Sequence, residues 1–110
     1  MPDKSSELSG PDRMALLCAR FPTLYGMPGT VPWDQKKFAR WGSGPAATSG
    51  SRQAAAFVLS VWNGSQPEDG GWWNEAPYHV GRFDVVEALA VWDAHHRNAF
   101  VGWCLQPFWP

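Results

Sequence analysis

The sequence predicts an all-α fold, a compact single domain of four to five short helices joined by long connecting loops. Three observations predict it. Apolar residues recur at i, i+3, i+4 and i+7 in several windows, the period of one helix face. Ser, Asp or Pro opens those windows and Gly, Asn or Pro closes them, as at helix ends. The chain has 110 residues, 45% apolar and 17% charged, which suits one globular unit rather than a disordered segment.

Residues 1–9 read as a flexible N-terminal tail and 10–110 as the single helical domain. Ser9 or Gly10 caps the first helix, with Pro11 in its first turn, where the missing N–H costs nothing. Met14, Leu17, Cys18 and Phe21 form its stripe and Pro22 ends it. The following stretch, with Gly26, Pro28 and Gly29, reads as a loop. Asp34 caps a second helix over 35–41, closed by Gly42 at C′. Phe38 and Trp41 share its face, and Trp33 can fold back onto them. Residues 42–50 hold Gly, Ser, Pro and Ala in a flexible connection.

The third helix starts at Ser49 or Ser51 and carries Ala54, Phe57, Val58 and Val61 on one stripe, widened by Leu59 and Trp62. Asn63 and Gly64 stop it. β-Branched and aromatic residues make 57–62 a competing strand, but the alanine run before them favours helix. Residues 63–83 show no sustained period and are punctuated by Gly64, Pro67, Gly70, Gly71, Pro77 and Gly81. The alternative fold class, α+β, places a small hairpin within 63–83. Asp84 with Glu87 is a capping-box-like start, and Val85, Ala88, Leu89 and Trp92 form the expected buried face. Asp93 either starts a fifth helix or bends the fourth. Phe100, Trp103 and Cys104 then carry an apolar stripe to Gln106, and 107–110 form a short aromatic clasp.

Several function classes fall away on composition. The net charge is −1, and the densest basic run is only Lys36, Lys37 and Arg40, so no nucleic-acid footprint is expected. No window reaches the roughly 18 apolar residues of a membrane span. Residues 1–10 are polar and unlike a secretory leader, which makes the cytoplasm the expected compartment. Cys18 and Cys104 are then reduced, and both read as small core hydrophobes on apolar helix faces. There is no CxxC pair, phosphate-cradling glycine motif, calcium loop or GxSxG, so no cofactor, metal or catalytic residue is assigned.

Two stretches remain as candidate sites. Asp93 to Arg97 (Asp, Ala, His, His, Arg) can orient a general base or supply two metal ligands. The simpler reading makes Asp93 an N-cap paired with Arg97, and His96 a core-edge residue with one nitrogen bonded. The better lead is aromatic. Eight Trp, six Phe and two Tyr are more ring than a small core can enclose, since each indole buries about 200 Å². The 70–79 loop concentrates them, with Trp72 and Trp73 flanked by Tyr78 and His79. One of the adjacent tryptophans is expected to anchor inward while the other projects. Arg82 either pins the loop to Asp84 or Glu87 or grips a partner's carboxylate. The plainer reading is a packed loop whose tryptophans complete the core.

The expected function is therefore a small cytoplasmic, non-enzymatic protein-binding module, adaptor- or inhibitor-like. Its expected partner is another protein or a second copy of itself, contacted through Trp72, Trp73, Tyr78, His79 and Arg82. A small-molecule or glycan cleft lined by Trp72, Trp73 and Tyr78 is the second reading. A metal-dependent or His-based hydrolase using Asp93, His95, His96 or His79 is the third.

Overall fold

Each α-helix of the described residues begins where a side-chain oxygen takes up an amide that the first turn leaves without a partner. In the computed structural model, which describes residues 8–63 and 71–110, Ser9 caps α1 (Gly10–Ala19) by accepting from Asp12 N–H at 3.2 Å. Asp34 caps α2 (Gln35–Gly42) through Lys37 N–H. Thr48, rather than either expected serine, caps α3 (Ser49–Trp62) through Ser51 N–H. Asp84 and Asp93 cap α4 (Val85–Val91) and α5 (Ala94–Leu105), accepting from Glu87 and His96 N–H. A 3-10 turn at Trp72–Asn74 completes the regular structure. No strand forms among the described residues, so the chain is all-α with five helices. Residues 71–83 hold this turn instead of a hairpin, and most of the expected tail lies outside the described residues, as do 64–70.

The layers are arranged around α3. Ala54, Phe57, Val58, Leu59 and Val61 of its expected face are buried and Trp62 is half-buried, while Ser51, Gln53, Ala55 and Ala56 are buried on its other sides. A helix apolar all round must be covered all round, and α3 packs against α1, α2 and α4. Phe57 meets the rings of Phe21, Phe83, Phe100 and Trp103 at centroid distances of 5.2 to 5.9 Å. Such tilted and edge-on pairs add about 0.5–1.5 kcal/mol each beyond the area they bury. The radius of gyration is 13.3 Å, close to the roughly 13 Å of a folded globule of this length.

The connection after α1 is a run of tight turns. Leu24 and Tyr25 N–H both reach Phe21 C=O, and Thr30 Oγ1 donates to Met27 C=O at 2.7 Å. Phe21 and Leu24 are fully buried beneath it. Gly29 has φ +83°, and a Cβ there would lie 2.4 Å from Phe38 N, so only glycine lets this turn sit on α2. Trp33 folds back onto Phe38 at 5.2 Å, as expected, and also meets Trp62 at 5.6 Å. At the C-terminus Trp103 Nε1 donates to Phe108 C=O and its ring meets Trp109 edge-on, forming the clasp.

Four expectations are corrected. Gly42 is not a C′ glycine. It closes α2 from inside the helix, and a Cβ there would stand 3.1 Å from Ala55 Cβ, so it is small because α2 and α3 approach closely. Val85 and Leu89 do not face the core, and in α4 only Ala88 is buried. Cys104 is exposed, whereas Cys18 is buried and its thiol is pushed up to about 12 by desolvation. Arg97 does not turn to Asp93, because its Nε donates to Trp92 C=O at 3.1 Å.

Candidate functional site

The 71–79 segment is shaped by Gly71. Its φ is +82°, and a Cβ there would fall 2.5 Å from the Trp73 ring, so the indole folds back over a residue that must be glycine. Trp73 is thereby 1% exposed and leaves the contact surface, a correction to its expected role. The expectation of one tryptophan inward holds, but through a 3-10 turn instead of an extended segment. Trp72 is half-buried and stands edge-on to Tyr78 at 5.0 Å, so its ring is largely occupied by its own loop. Tyr78 is half-buried, and His79 and Arg82 are exposed. Arg82 rims an open polar cleft of about 550 Å³ with Arg52, Asp84 and Glu87. A second cleft, of about 260 Å³, lies between Leu16, Leu17, Arg20 and Phe108. Neither is lined by Trp72, Trp73 or Tyr78.

The surplus of indole is real but dispersed. Trp33, Trp73 and Trp92 are buried, Trp41, Trp62, Trp72 and Trp103 are half-buried, and Trp109 is 54% exposed. Uncovered apolar surface concentrates elsewhere, on α4. Val85, Val86, Leu89 and Val91 are 42%, 75%, 40% and 43% exposed, with Ala90 and Glu87 also at the surface. Asp84 fixes this helix at both its backbone and its side chain. Its carboxylate accepts from Glu87 N–H, while its own N–H donates to Gln53 Oε1 on α3 at 3.0 Å. Gln53 thus takes the amide that a capping-box Glu87 would otherwise hold.

The start of α5 holds a connected polar chain. Asp93 Oδ1 accepts from His96 N–H at 2.9 Å and from His96 Nδ1 at 2.8 Å. These bonds, the backbone one foremost, hold the Asp93 carboxyl below its ordinary value of 3.8. An ionised carboxylate only accepts, so Nδ1 carries the proton. In the neutral imidazole Nε2 is then an acceptor, and the Thr23 hydroxyl, 2.7 Å away, donates to it. His96 is buried and its ring lies nearly parallel to Trp92 at 6.2 Å, while Asp93 is exposed. Thr23, Asp93 and His96 line one open cleft of about 320 Å³ together with Ser49, Gly50 and Trp92. Both imidazole nitrogens are bonded, not one as expected, and the second partner is 73 positions away in the sequence. His95 is exposed on the same turn.

Family models, curated proteins and solved structures all give no match to this chain. Among the described residues no three of His, Cys, Asp and Glu gather as metal ligands, so His79, His95 and His96 do not form such a group. No helix of the described residues is long and apolar enough to cross a membrane.

Proposed function

We propose that this chain is a small cytoplasmic protein-binding module, and that α4 is the centre of its contact surface. The observation that carries the reading is the mismatch between the composition of α4 and its burial. The helix reads Val-Val-Glu-Ala-Leu-Ala-Val, yet Ala88 alone is buried. A short helix gains little from propensity and depends on packing its apolar face. Exposed apolar side chains gathered on one short helix are a feature of interaction sites on otherwise polar proteins. The helix is also held rigidly in register, by Asp84 at its start and by Trp92 at its end, whose Nε1 donates to Gly50 C=O at 2.9 Å. A preorganised apolar helix loses little conformational freedom on docking. His79 and Arg82 are exposed in the preceding loop, and Tyr78 is half-buried there.

Affinity capture tests the reading with three baits: the unaltered chain, Val86→Lys/Leu89→Lys, and Trp72→Ala/Tyr78→Ala. A partner retained by the first and third baits but lost by the second is the expected result. Sedimentation of the purified chain tells whether that partner is a second copy. Equal capture by all three baits contradicts the proposal.

A further inference from the structure

We infer that the cleft between the turn after α1 and the N-terminus of α3 is an acyl-transfer site, with Thr23 as nucleophile and His96 as its general base, acting on carboxylic esters of small acyl groups. This activity goes beyond the docking role of α4, and its reacting groups are not residues of that helix.

The inference starts from connectivity. Nucleophilic catalysis by a hydroxyl needs a base within hydrogen-bond reach and a third group that orients the base. Here Thr23 Oγ1 lies 2.7 Å from His96 Nε2, and His96 Nδ1 lies 2.8 Å from Asp93 Oδ1. The order hydroxyl, imidazole and carboxylate is the functional one, because the carboxylate fixes the tautomer that leaves Nε2 free to take the hydroxyl proton. Asp93 is thus a positioning residue, and its second contact, to His96 N–H, ties the carboxylate and the base to one helical turn.

The surroundings supply what a developing oxyanion needs. Ser49 and Gly50 line the same cleft and are the first two residues of α3. Their N–H groups have no acceptor within the helix, and the helix end carries partial positive charge. Thr48 caps Ser51 N–H and leaves these two amides uncapped by its own hydroxyl. Gly50 also keeps the cleft open. A Cβ built on it would already touch Trp92 Cδ1 at 3.7 Å, so a larger side chain would fill the space beside the ring. The modest size of the cleft and the methyl group of the threonine both favour a small acyl group.

The reaction consumes one water per ester. Thr23 Oγ1 bonds to the acyl carbon as its proton passes to His96 Nε2, and the carbonyl electron pair moves onto oxygen beside the α3 amides. That pair returns as the bond to the alcohol breaks, and His96 gives its proton to the departing oxygen. Water then attacks the acyl-threonine, His96 takes its proton and returns it to Thr23, and a carboxylic acid leaves.

The test uses the full chain with p-nitrophenyl acetate, reading turnover together with the mass of the intact protein and of its peptides. The expected results are one acetyl group on the peptide that contains Thr23 and turnover about a hundredfold above that of Thr23→Val. Thr23→Ser should retain turnover. Asp93→Asn can still cap α5, so it should stay folded at neutral pH, with a somewhat lower melting temperature, while losing turnover because the tautomer is no longer imposed. Gly50→Leu should lose turnover with the relay itself unaltered. Acetyl found on any other residue, no acylation of the unaltered chain, or Thr23→Val turning over the ester undiminished would each overturn the inference.

Discussion

Helices α3 and α4 are written in nearly the same alphabet, alanine with valine, leucine and few charges, yet they occupy opposite environments. Nine residues of α3 are buried, including three consecutive alanines and Phe57, while α4 buries Ala88 alone. The difference does not lie in hydrophobicity. The fourteen residues of α3 span enough length to meet three other helices, and its small side chains let them come close. The seven residues of α4 make two turns, and of these Ala88 alone is buried while Asp84 N–H ties the start to Gln53 on α3. Apolar composition tells how much surface a helix needs covered. Which chain covers it depends on topology.

The sharpest break of this comparison is in the core. Phe57→Ala should cost about 3–5 kcal/mol in urea unfolding, because four rings lose a shared partner and the cavity cannot close. A loss below about 1 kcal/mol would show that α3 is less fully packed than its burial implies. Gly42→Ala comes next. Alanine at a helical position normally stabilises by about 1 kcal/mol, but here the new methyl meets Ala55 at 3.1 Å, and overpacking should reverse the sign to a net loss of about 1 kcal/mol. A higher melting temperature in that variant would mean that α2 can shift away from α3.

The start of α5 gives a smaller, pH-dependent effect. The folded chain holds the Asp93 carboxyl below 3.8 through the backbone N–H and then the side chain of His96. Its contribution is therefore fully present above pH 3.8 and is lost as the pH falls through the lower folded value. Thermal melts across this acid range should decline more steeply in the unaltered chain than in Asp93→Asn. Identical slopes would remove Asp93 from the acid response. The smallest effect belongs to α4, where Val86→Ser should change unfolding free energy by no more than about 0.5 kcal/mol, since the side chain is 75% exposed. A loss above about 1 kcal/mol would place Val86 inside the fold of its own chain.

Local rules were legible in the sequence and long-range ones were not. Ser9, Asp34, Asp84 and Asp93 cap the helices as expected because capping is decided within four residues. The stripe of α3 and the folding back of Trp33 were readable for the same reason. Gly42 was misread because a glycine after a helix usually marks a left-handed end, and nothing nearby in the sequence reveals that Ala55 presses against it. Thr23 was missed as the partner of His96, since its only local signal was a place in a Gly- and Pro-rich turn. Asp93 and His96 were visible at i, i+3, whereas their third member had to be brought in by the fold. Counting indoles correctly implied exposed ring surface, but the turn at Gly71 folds Trp73 inward and the exposure spreads to Trp109 and the half-buried rings.

The most direct measurement of the account is site-specific photo-crosslinking in living cells, with a benzophenone side chain placed at Val86 on α4 or at Arg40 on α2, both exposed. The account predicts a discrete adduct from position 86 and none from position 40, the former abolished when Leu89→Lys is added. No adduct at 86, or the same adducts from both positions, would contradict the assignment of α4 as the contact surface.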